Sequence, residues 1–299
     1  MYDKQIRYVM AVAREGSFSR AADILDIAQP SLSQYIKKIE KQLGVELFDR
    51  SGSNVRLTDA GQVYLDSGRQ ILEIERQMES RFQDISLSRY GTIRIGIAAH
   101  RSVCLMPRIV KAFREEYPNV MVILDERPRG ELMDAAEYGE FDLCVTTLPV
   151  DEKLYEIEAL FQEELLLAVP KASALYDKLK TREAEGKIDF TLVNGSDFAM
   201  LNEDHLMQHQ LELLMAQYGL HLNKTVECTS LEALLAMVNA GVGAAIIPAC
   251  LCNFISENIA YFRLQQETAK RDIVVIHKKD RILSKAAAAF KDYMKRMLR

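Results

Sequence analysis

The sequence lacks the short motifs that carry most enzyme chemistry. It has no G-x-S-x-G, no Walker loop, no G-x-G-x-x-G after a strand and no Cys/His zinc spacing, and Gly241-Val242-Gly243 stands without the rest of a phosphate fingerprint. Neither an enzyme nor a bound cofactor is expected. There is no excess of positive charge: 38 Lys and Arg face 43 Asp and Glu, a formal net charge of -5, and residues 1 to 60 hold nine of the former against eight of the latter. Any binding to a polyanion must therefore rest on local clusters of cations. Met1-Tyr2-Asp3-Lys4-Gln5 leads into an amphipathic helix with Ile6, Met10 and Ala13 on one side, without the basic, apolar and small-residue succession of a signal peptide. A cytoplasmic place is expected. The uncharged stretch Ala233 to Ile255 is interrupted by Asn239, Gly241, Gly243, Pro248 and Asn253, which predicts a buried helix and strand and no membrane span. Cys104, Cys144, Cys228, Cys250 and Cys252 are odd in number and scattered, which suits reduced thiols better than a disulfide framework.

What is present suits a folded, multi-unit chain. With 299 residues, 48% of them hydrophobic, it can build two or three units with real cores. Near the start, Leu32, Ile36, Ile39 and Leu43 recur at helical spacing and predict one apolar face on a helix from Gln29 to Leu43. The opposite face carries Pro30, Gln34, Lys37 and Lys41, with Ser33 and Lys38 beside them. Short amide and hydroxyl groups near a helix N-terminus, followed by lysines, suit a major groove: the former reach base edges and the latter neutralise phosphates. A preceding helix from Arg20 to Leu25, capped by Ser19, carries Ala21 and Ala22, small enough for a close crossing. Asp26, Ile27 and Ala28 connect the two as a helix-turn-helix, and Gly44 closes the second helix. Val45, Leu47 and Phe48, then Val55 and Leu57, read as two strands around the polar turn from Asp49 to Asn54. This is a wing, with Arg50 and Arg56 placed to meet sugar-phosphate or the minor groove.

Phe18-Ser19-Arg20-Ala21-Ala22, Gln29-Pro30-Ser31-Leu32-Ser33, Ile39-Glu40, Leu43-Gly44, Leu47-Phe48-Asp49-Arg50 and Leu57-Thr58-Asp59-Ala60-Gly61 together resemble a LysR-type transcriptional regulator in order and spacing. One departure is Ala28, where that family often places Ser or Thr as N-cap, a loss worth roughly 1 kcal/mol. The resemblance implies a winged helix-turn-helix on residues 1-58 and a linker helix on 59-90. Residues 91-299 then form a two-lobed α/β effector domain like type 2 periplasmic binding proteins, with lobe I on 91-161 and 268-299 and lobe II on 162-267. The expected fold class is thus mixed, α+β with α/β. Gln29, Pro30, Ser31, Ser33, Gln34, Lys37, Lys38, Lys41, Arg50 and Arg56 form the expected DNA-binding set. The expected partners are double-stranded promoter DNA, a small-molecule effector, RNA polymerase, and copies of the same chain as a homodimer assembling to a homotetramer.

The remaining pattern is compatible with that plan. Thr58 can cap a long helix from Asp59, on which Tyr64, Ile71, Met78 and Ile85 recur every seven residues with Ile74 and Phe82 between them; Gly68 and Glu75 interrupt the seam, so packing on the first helix competes with a coiled coil. From Gly91 strands and helices alternate. Strands are expected at Ile93 to Ile97, Val120 to Leu124, Phe141 to Val145, Tyr155 to Ile157, Leu165 to Val169, Phe190 to Val193, Thr225 to Cys228, Ala244 to Ile247 and Asp272 to Ile276. Helices are expected from Pro107, around Leu132 and Ala136, at Leu206 to Tyr218, Ser230 to Ala240 and Ser284 to Leu298. Val238 to Gly243 with Ile246-Ile247-Pro248 resembles the effector domain most clearly, and Thr229 with Glu232 reads as a capping box.

Ligands in such folds sit beyond strand C-termini and at helix N-termini. His100, Arg101, Ser102, Arg127, Arg129, Thr146, Thr147, Asn202 and Thr229 occupy those places, and their charge suggests a carboxylate or phosphate effector. His205 and His209 stand at metal-binding spacing without a third ligand, so solvent-facing histidines are expected. Peroxide sensing, by the family resemblance, would need a thiol pair between about Ser196 and His209, where there is no cysteine, and Cys250-Leu251-Cys252 is expected as buried thiols. A solute-binding protein that never touches DNA is the rival that residues 91 to 299 alone would allow.

Overall fold

A computed structural model describes residues 2–51, 55–85, 90–183, 186–203, 205–253 and 257–298, which fall into two compact units, Met1–Ser86 and Leu87–Arg299. The expected wing tip, Gly52 to Asn54, lies outside the described residues.

In the first unit α1 (Tyr2–Glu15), α2 (Phe18–Ile24) and α3 (Gln29–Leu43) pack around Val9, Val12, Ala21, Ala22, Leu32, Ile36 and Ile39. The inward face of α1 is Ile6, Val9 and Val12 rather than Ile6, Met10 and Ala13, because Met10 and Ala13 lie at its margin. Helix α2 starts two residues before the expected Arg20: Ser17, not Ser19, is extended and its hydroxyl accepts the Arg20 N–H. That earlier start buries Phe18, whose ring meets Phe48 edge-on at 5.8 Å. Asp26 makes the turn into α3 with φ 52, a left-handed conformation that short acidic side chains tolerate. Ala28 makes no side-chain cap, as its chemistry requires, and Gly44 ends α3 with φ 72. Leu43 departs from the expected apolar face, being 48% exposed. The Gly44 turn instead folds the chain back so that Leu47 and Phe48 fill that end of the core.

The wing is a short antiparallel pair, β1 (Phe48–Asp49) with β2 (Arg56–Leu57). Thr58 then caps α4 (Asp59–Ile85), accepting the Gly61 N–H at 3.0 Å while its hydroxyl donates to the Glu46 carbonyl at 2.6 Å. The seven-residue stripe divides: Tyr64 packs with the first unit's core, whereas Ile71, Ile74, Met78 and Phe82 are exposed. Gly61, Leu65 and Gly68 form the face that α4 lays on its own unit, a Cβ on Gly68 meeting the Ile6 side chain.

The second unit has two lobes. In lobe I, β3 (Tyr90–Ile97), β4 (Asn119–Glu126) and β5 (Leu143–Thr147) run parallel, with β12 (Lys270–Lys278) and β6 (Tyr155–Pro170) completing the order β4-β3-β5-β12-β6. Helices α5 (Ala99–Glu116), α6 (Arg129–Glu137) and α10 (Lys285–Leu298) cover this sheet, joining Met106, Ile109, Phe113, Phe290 and Met294 to its isoleucines. In lobe II, β6 continues beside β10 (Ala245–Pro248) and β11 (Ile259–Leu264), and β11 pairs with β7 (Lys187–Ile188). There β8 (Asp197–Leu201) pairs in parallel with β9 (Asn223–Cys228), and α7 (Ala174–Lys180), α8 (Leu206–Tyr218) and α9 (Leu231–Asn239) pack around the lobe's core.

Four expectations change here. Helix α5 begins at Ala99, so Pro107 lies inside it rather than opening it; the missing N–H leaves one carbonyl unpaired, and the buried face from His100 to Phe113 holds the helix across that gap. The strands expected at Tyr155 and Leu165 are one strand, β6, whose polar middle crosses between lobes where β12 returns. Phe190–Val193 is a 3-10 turn capped by Asp189, and the strand of this region, β8, begins only at Asp197. Helix α7, β7 and β11 lay in segments for which no element was expected. Among the described residues no helix is long and apolar enough to cross a membrane.

A Cβ on Gly61 would lie 2.0 Å from the Leu47 carbonyl oxygen, a backbone atom, whereas on Gly68 it would meet the Ile6 side chain at 2.8 Å. Gly61→Ala is expected to destabilise the first unit by about 3 kcal/mol and Gly68→Ala by about 1 kcal/mol, measured by denaturant unfolding. Equal costs would remove the close approach as the reason for Gly61.

Candidate functional sites

The first candidate surface belongs to α3. Gln29, Pro30, Ser31, Gln34, Lys37, Lys38 and Lys41 are exposed and Ser33 is half-buried, while Leu32, Ile36 and Ile39 face inward. Lys37, Lys38 and Lys41 enter none of the ion pairs formed among the described residues, so their charge is displayed to solvent. Arg56 on β2 is exposed as well. Arg50 differs. Its guanidinium pairs with Glu40 at 2.7 Å and lies 4.8 Å over the Phe18 ring, so its charge is engaged within the unit although the residue stays exposed. The same Glu40 carboxylate accepts the Leu47 and Phe48 N–H groups at 3.0 and 3.3 Å. One carboxylate thus fastens the wing to α3 and fixes the height of the wing beside the helix.

The second candidate is a buried charged cluster where β6 and β12 cross between lobes. Arg271 of β12 stands opposite Glu163 of β6 in register. Glu163 is 3% exposed, and the Arg271 Nε donates to it at 2.5 Å; the Nη2 of Arg271 is equally near but lacks hydrogen-bond geometry. From lobe I the first turn of α5 adds Arg101, whose Nη2 donates to the same oxygen at 3.3 Å, and buried His100 and Ser102. From lobe II come Cys250, with its Sγ 3.7 Å from the other Glu163 oxygen, and His205. Two guanidinium ions therefore share one carboxylate. Burial lowers the Arg271 pKa to about 10 in spite of Glu163. Burial, then the neighbouring Arg101 and Arg271, push His100 down to about 2, so it stays neutral. His205 is lowered by burial and by Arg271 and Arg101, against a raising effect of Glu232.

Several expected ligand residues lie at this edge. His100, Arg101 and Ser102 begin α5 after β3, Arg129 begins α6 beyond β4, and Thr146 and Thr147 end β5 fully buried. His100 Nε2, Arg101 Nε, Arg129 Nε and Thr147 Oγ1 are buried polar atoms without a hydrogen-bond partner. Arg129 also donates to the Thr147 and Pro149 carbonyls, at 3.5 and 2.8 Å. Asn202 follows β8 half-buried, its N–H spent on the Cys228 carbonyl.

Three expectations are corrected. Arg127 is not free for a ligand: Asp125 and Glu140 hold it at 2.8 Å each and it lies over Phe141, because two carboxylates within lobe I are in reach. Thr229 does not cap α9; Ser230 does, accepting the Ala233 N–H, and Thr229 is left exposed one residue earlier. His205 is not solvent-facing but caps α8 through Nδ1 beside the cluster, while His209 is exposed and pairs with Glu212. Glu163 and Arg271 escaped sequence reasoning altogether. Nothing in the sequence singled them out: Glu163 is one of four glutamates in β6, and Arg271 stands between Lys270 and Asp272.

A groove of about 770 Å³ lies elsewhere, along α5 and β4 from Ser102 and Val103 to Arg114 and Leu124. It is mostly apolar and lies within lobe I, so the charged cluster is the better candidate for chemistry.

Comparison with known proteins bears on both sites. Residues 4–62 match the model of the bacterial regulatory helix-turn-helix protein, lysR family, and residues 88–299 match that of the LysR substrate binding domain. The uncharacterized HTH-type transcriptional regulator YcgK of Bacillus subtilis (strain 168) is 31% identical, the alignment covering 99% of this chain and 94% of that one. The crystal structure of CbnR, a LysR family transcriptional regulator, matches with TM-score 0.71 at 21% identity over 100% of both chains. Full-length CbnR complexed with its target DNA matches with TM-score 0.69 at 22% identity over 99% of both chains.

The neutral buried His100 sets a pH dependence. Below about pH 6.5 the unfolded chain takes up a proton that the folded one refuses down to about 2, so stability falls as pH falls through that window and gains nothing above it. Stability of the second unit should drop by up to about 1.4 kcal/mol per pH unit from this residue, with His205 acting in the same direction. His100→Asn should flatten the profile of unfolding midpoints between pH 7 and pH 5; an unchanged slope would contradict the buried neutral form.

Proposed function

The chain belongs to the LysR family of DNA-binding transcriptional regulators, and from that premise we propose that its effector is a small anion, a carboxylate or a phosphate, taken up at the cluster of His100, Arg101, Ser102, Arg129, Thr147 and Arg271. The observation that carries this reading is the charge imbalance: two buried guanidinium groups against one carboxylate, with further unpartnered polar atoms at the same edge of the sheet. An anion would supply the missing countercharge where water is scarce and each charge-assisted hydrogen bond is strong. Contacts from both lobes and from the crossing strands make its binding sensitive to the angle between lobes. A ligand that prefers one angle shifts the population toward it.

On the DNA side, Gln29, Pro30, Ser31, Ser33 and Gln34 face base edges, and Lys37, Lys38, Lys41 and Arg56 neutralise phosphates. Arg50 acts by holding the wing in place through Glu40. The exposed Ile71, Ile74, Met78 and Phe82 of α4 suit a helix of a second copy, and pairing through them gives a dimer that doubles the modest charge of each DNA-binding unit. Two dimers form the tetramer, and the effector acts on promoter DNA and RNA polymerase in the cytoplasm by changing how the DNA-binding pairs are spaced.

Two measurements test the two halves. In binding assays on its upstream DNA and on variants with single base changes, Gln34→Ala should relax base preference, whereas Lys37→Ala should weaken binding to all sequences and reduce the salt slope by about one; a Lys37→Ala protein with altered base preference and unchanged salt slope would reverse the assignment. In a thermal-shift screen of carboxylates and phosphates on the full chain, at least one anion should raise the melting temperature of the wild type and of Arg127→Gln but not of Arg101→Gln. A shift retained in Arg101→Gln would move the ligand away from this cluster.

A further inference from the structure

The first turn of α1 carries a cation that the DNA-binding set expected from sequence leaves out. Lys4 is exposed, and its Nζ stands 5.4 Å from the centroid of the Tyr8 ring and 5.8 Å from that of Tyr35. Tyr8 lies one turn further along α1, whereas Tyr35 belongs to α3, so one ammonium spans two helices. The rings themselves meet edge to face, with centroids 5.1 Å apart at 67°, and both are half-buried against the unit's core. The platform under Lys4 is therefore fixed. On α3, Ser31 stands four residues before Tyr35 and Lys38 three after it, so the three share one side of the helix, next to Gln34, with Ser31 and Lys38 exposed.

We propose that Lys4 is a further phosphate contact of the DNA-binding unit, held by the Tyr8 and Tyr35 rings beside the Ser31 and Lys38 side of α3, and that it reads no base. This rests on the reading that the exposed face of α3 docks into a duplex. An aromatic face attracts a cation through its quadrupole but carries no net charge, so the ammonium is positioned without being neutralised. Arg50 gives the contrast, since the Glu40 carboxylate takes up its charge. Lys4 enters no ion pair among the described residues, which leaves its charge for a phosphate. A free lysine loses much rotamer freedom on contact, and two rings that already hold it reduce that loss. A major groove that receives α3 is walled by a sugar-phosphate strand on each side of the helix, and α1 offers Lys4 to the strand on the Ser31 and Lys38 side. The group it meets, a phosphate oxygen, is the same in every sequence.

The experiment titrates the full chain and its variants with the upstream duplex and with a random duplex over a series of salt concentrations. Lys4→Gln should weaken binding to both duplexes by the same factor and lower the slope of log K against log salt by about 0.9 for each DNA-binding unit engaged. Lys4→Arg, which keeps the charge and stacks on aromatic faces, should retain the wild-type slope. Partial unfolding of a variant lowers the active fraction but leaves the slope of the folded fraction as it was, so the slope separates a lost contact from a lost fold. A wild-type slope in Lys4→Gln, a base preference changed by it, or an equal loss of slope in Lys4→Arg would overturn the proposal. Lys37→Gln serves as the reference. If it loses slope where Lys4→Gln does not, the Lys4 assignment alone falls; if neither loses slope, the docking of α3 falls with it.

Discussion

The second unit depends on how a single carboxylate, Glu163, is shared by two arginines at the crossing of β6 and β12. A buried carboxylate needs countercharge, and Arg271 reaches it only because the antiparallel register sets residue 271 opposite residue 163. Arg101 comes from a different element, the first turn of α5, so the same carboxylate joins the lobe I helix layer to the strands that carry the chain between lobes. The second guanidinium leaves the cluster positive. Burial first, and then that excess, keeps His100 neutral, while buried donors at the sheet edge stay without hydrogen-bond partners. Cys250 completes the arrangement from lobe II, which makes the cluster a meeting point of lobe I, the crossing strands and lobe II.

A similar economy operates in the DNA-binding unit, with Glu40 in the corresponding part. Its carboxylate receives two backbone N–H groups just past the end of α3 and the guanidinium of Arg50. With Arg50 paired to Glu40, the exposed cations of α3 and β2 that form no ion pair among the described residues are Lys37, Lys38, Lys41 and Arg56. Gly61 lets α4 come against the Leu47 carbonyl, and Thr58 ties the start of that helix to Glu46. The wing, the end of α3 and the start of α4 are thereby held by one set of short contacts, so the exposed face of α3 keeps a fixed relation to the wing.

Much of this was legible from local pattern. Helices α3, α8 and α10, the strands β3, β4, β9, β10 and β12, and the cap at Thr58 follow from spacing, turn residues and side-chain reach, all of which act over a few residues. Misreadings occurred where distant partners override local preference. Pro107 reads as a helix start, yet buried neighbours hold α5 through it; the polar middle of β6 reads as a break between strands, yet it spans the lobes. His205 reads as solvated, yet it caps α8 beside two arginines.

The amino-acid order alone determined the family, the division into a helix-turn-helix head and an α/β effector domain, and which face of α3 stays exposed, because helical periodicity and capping depend on near neighbours in the chain. Tertiary structure decided which arginines remain available, with Arg127 and Arg50 claimed by nearby carboxylates and Arg101 and Arg271 left in excess. Charge balance depends on distances through space, and strand register and lobe packing set those distances between residues that nothing in their spacing connects.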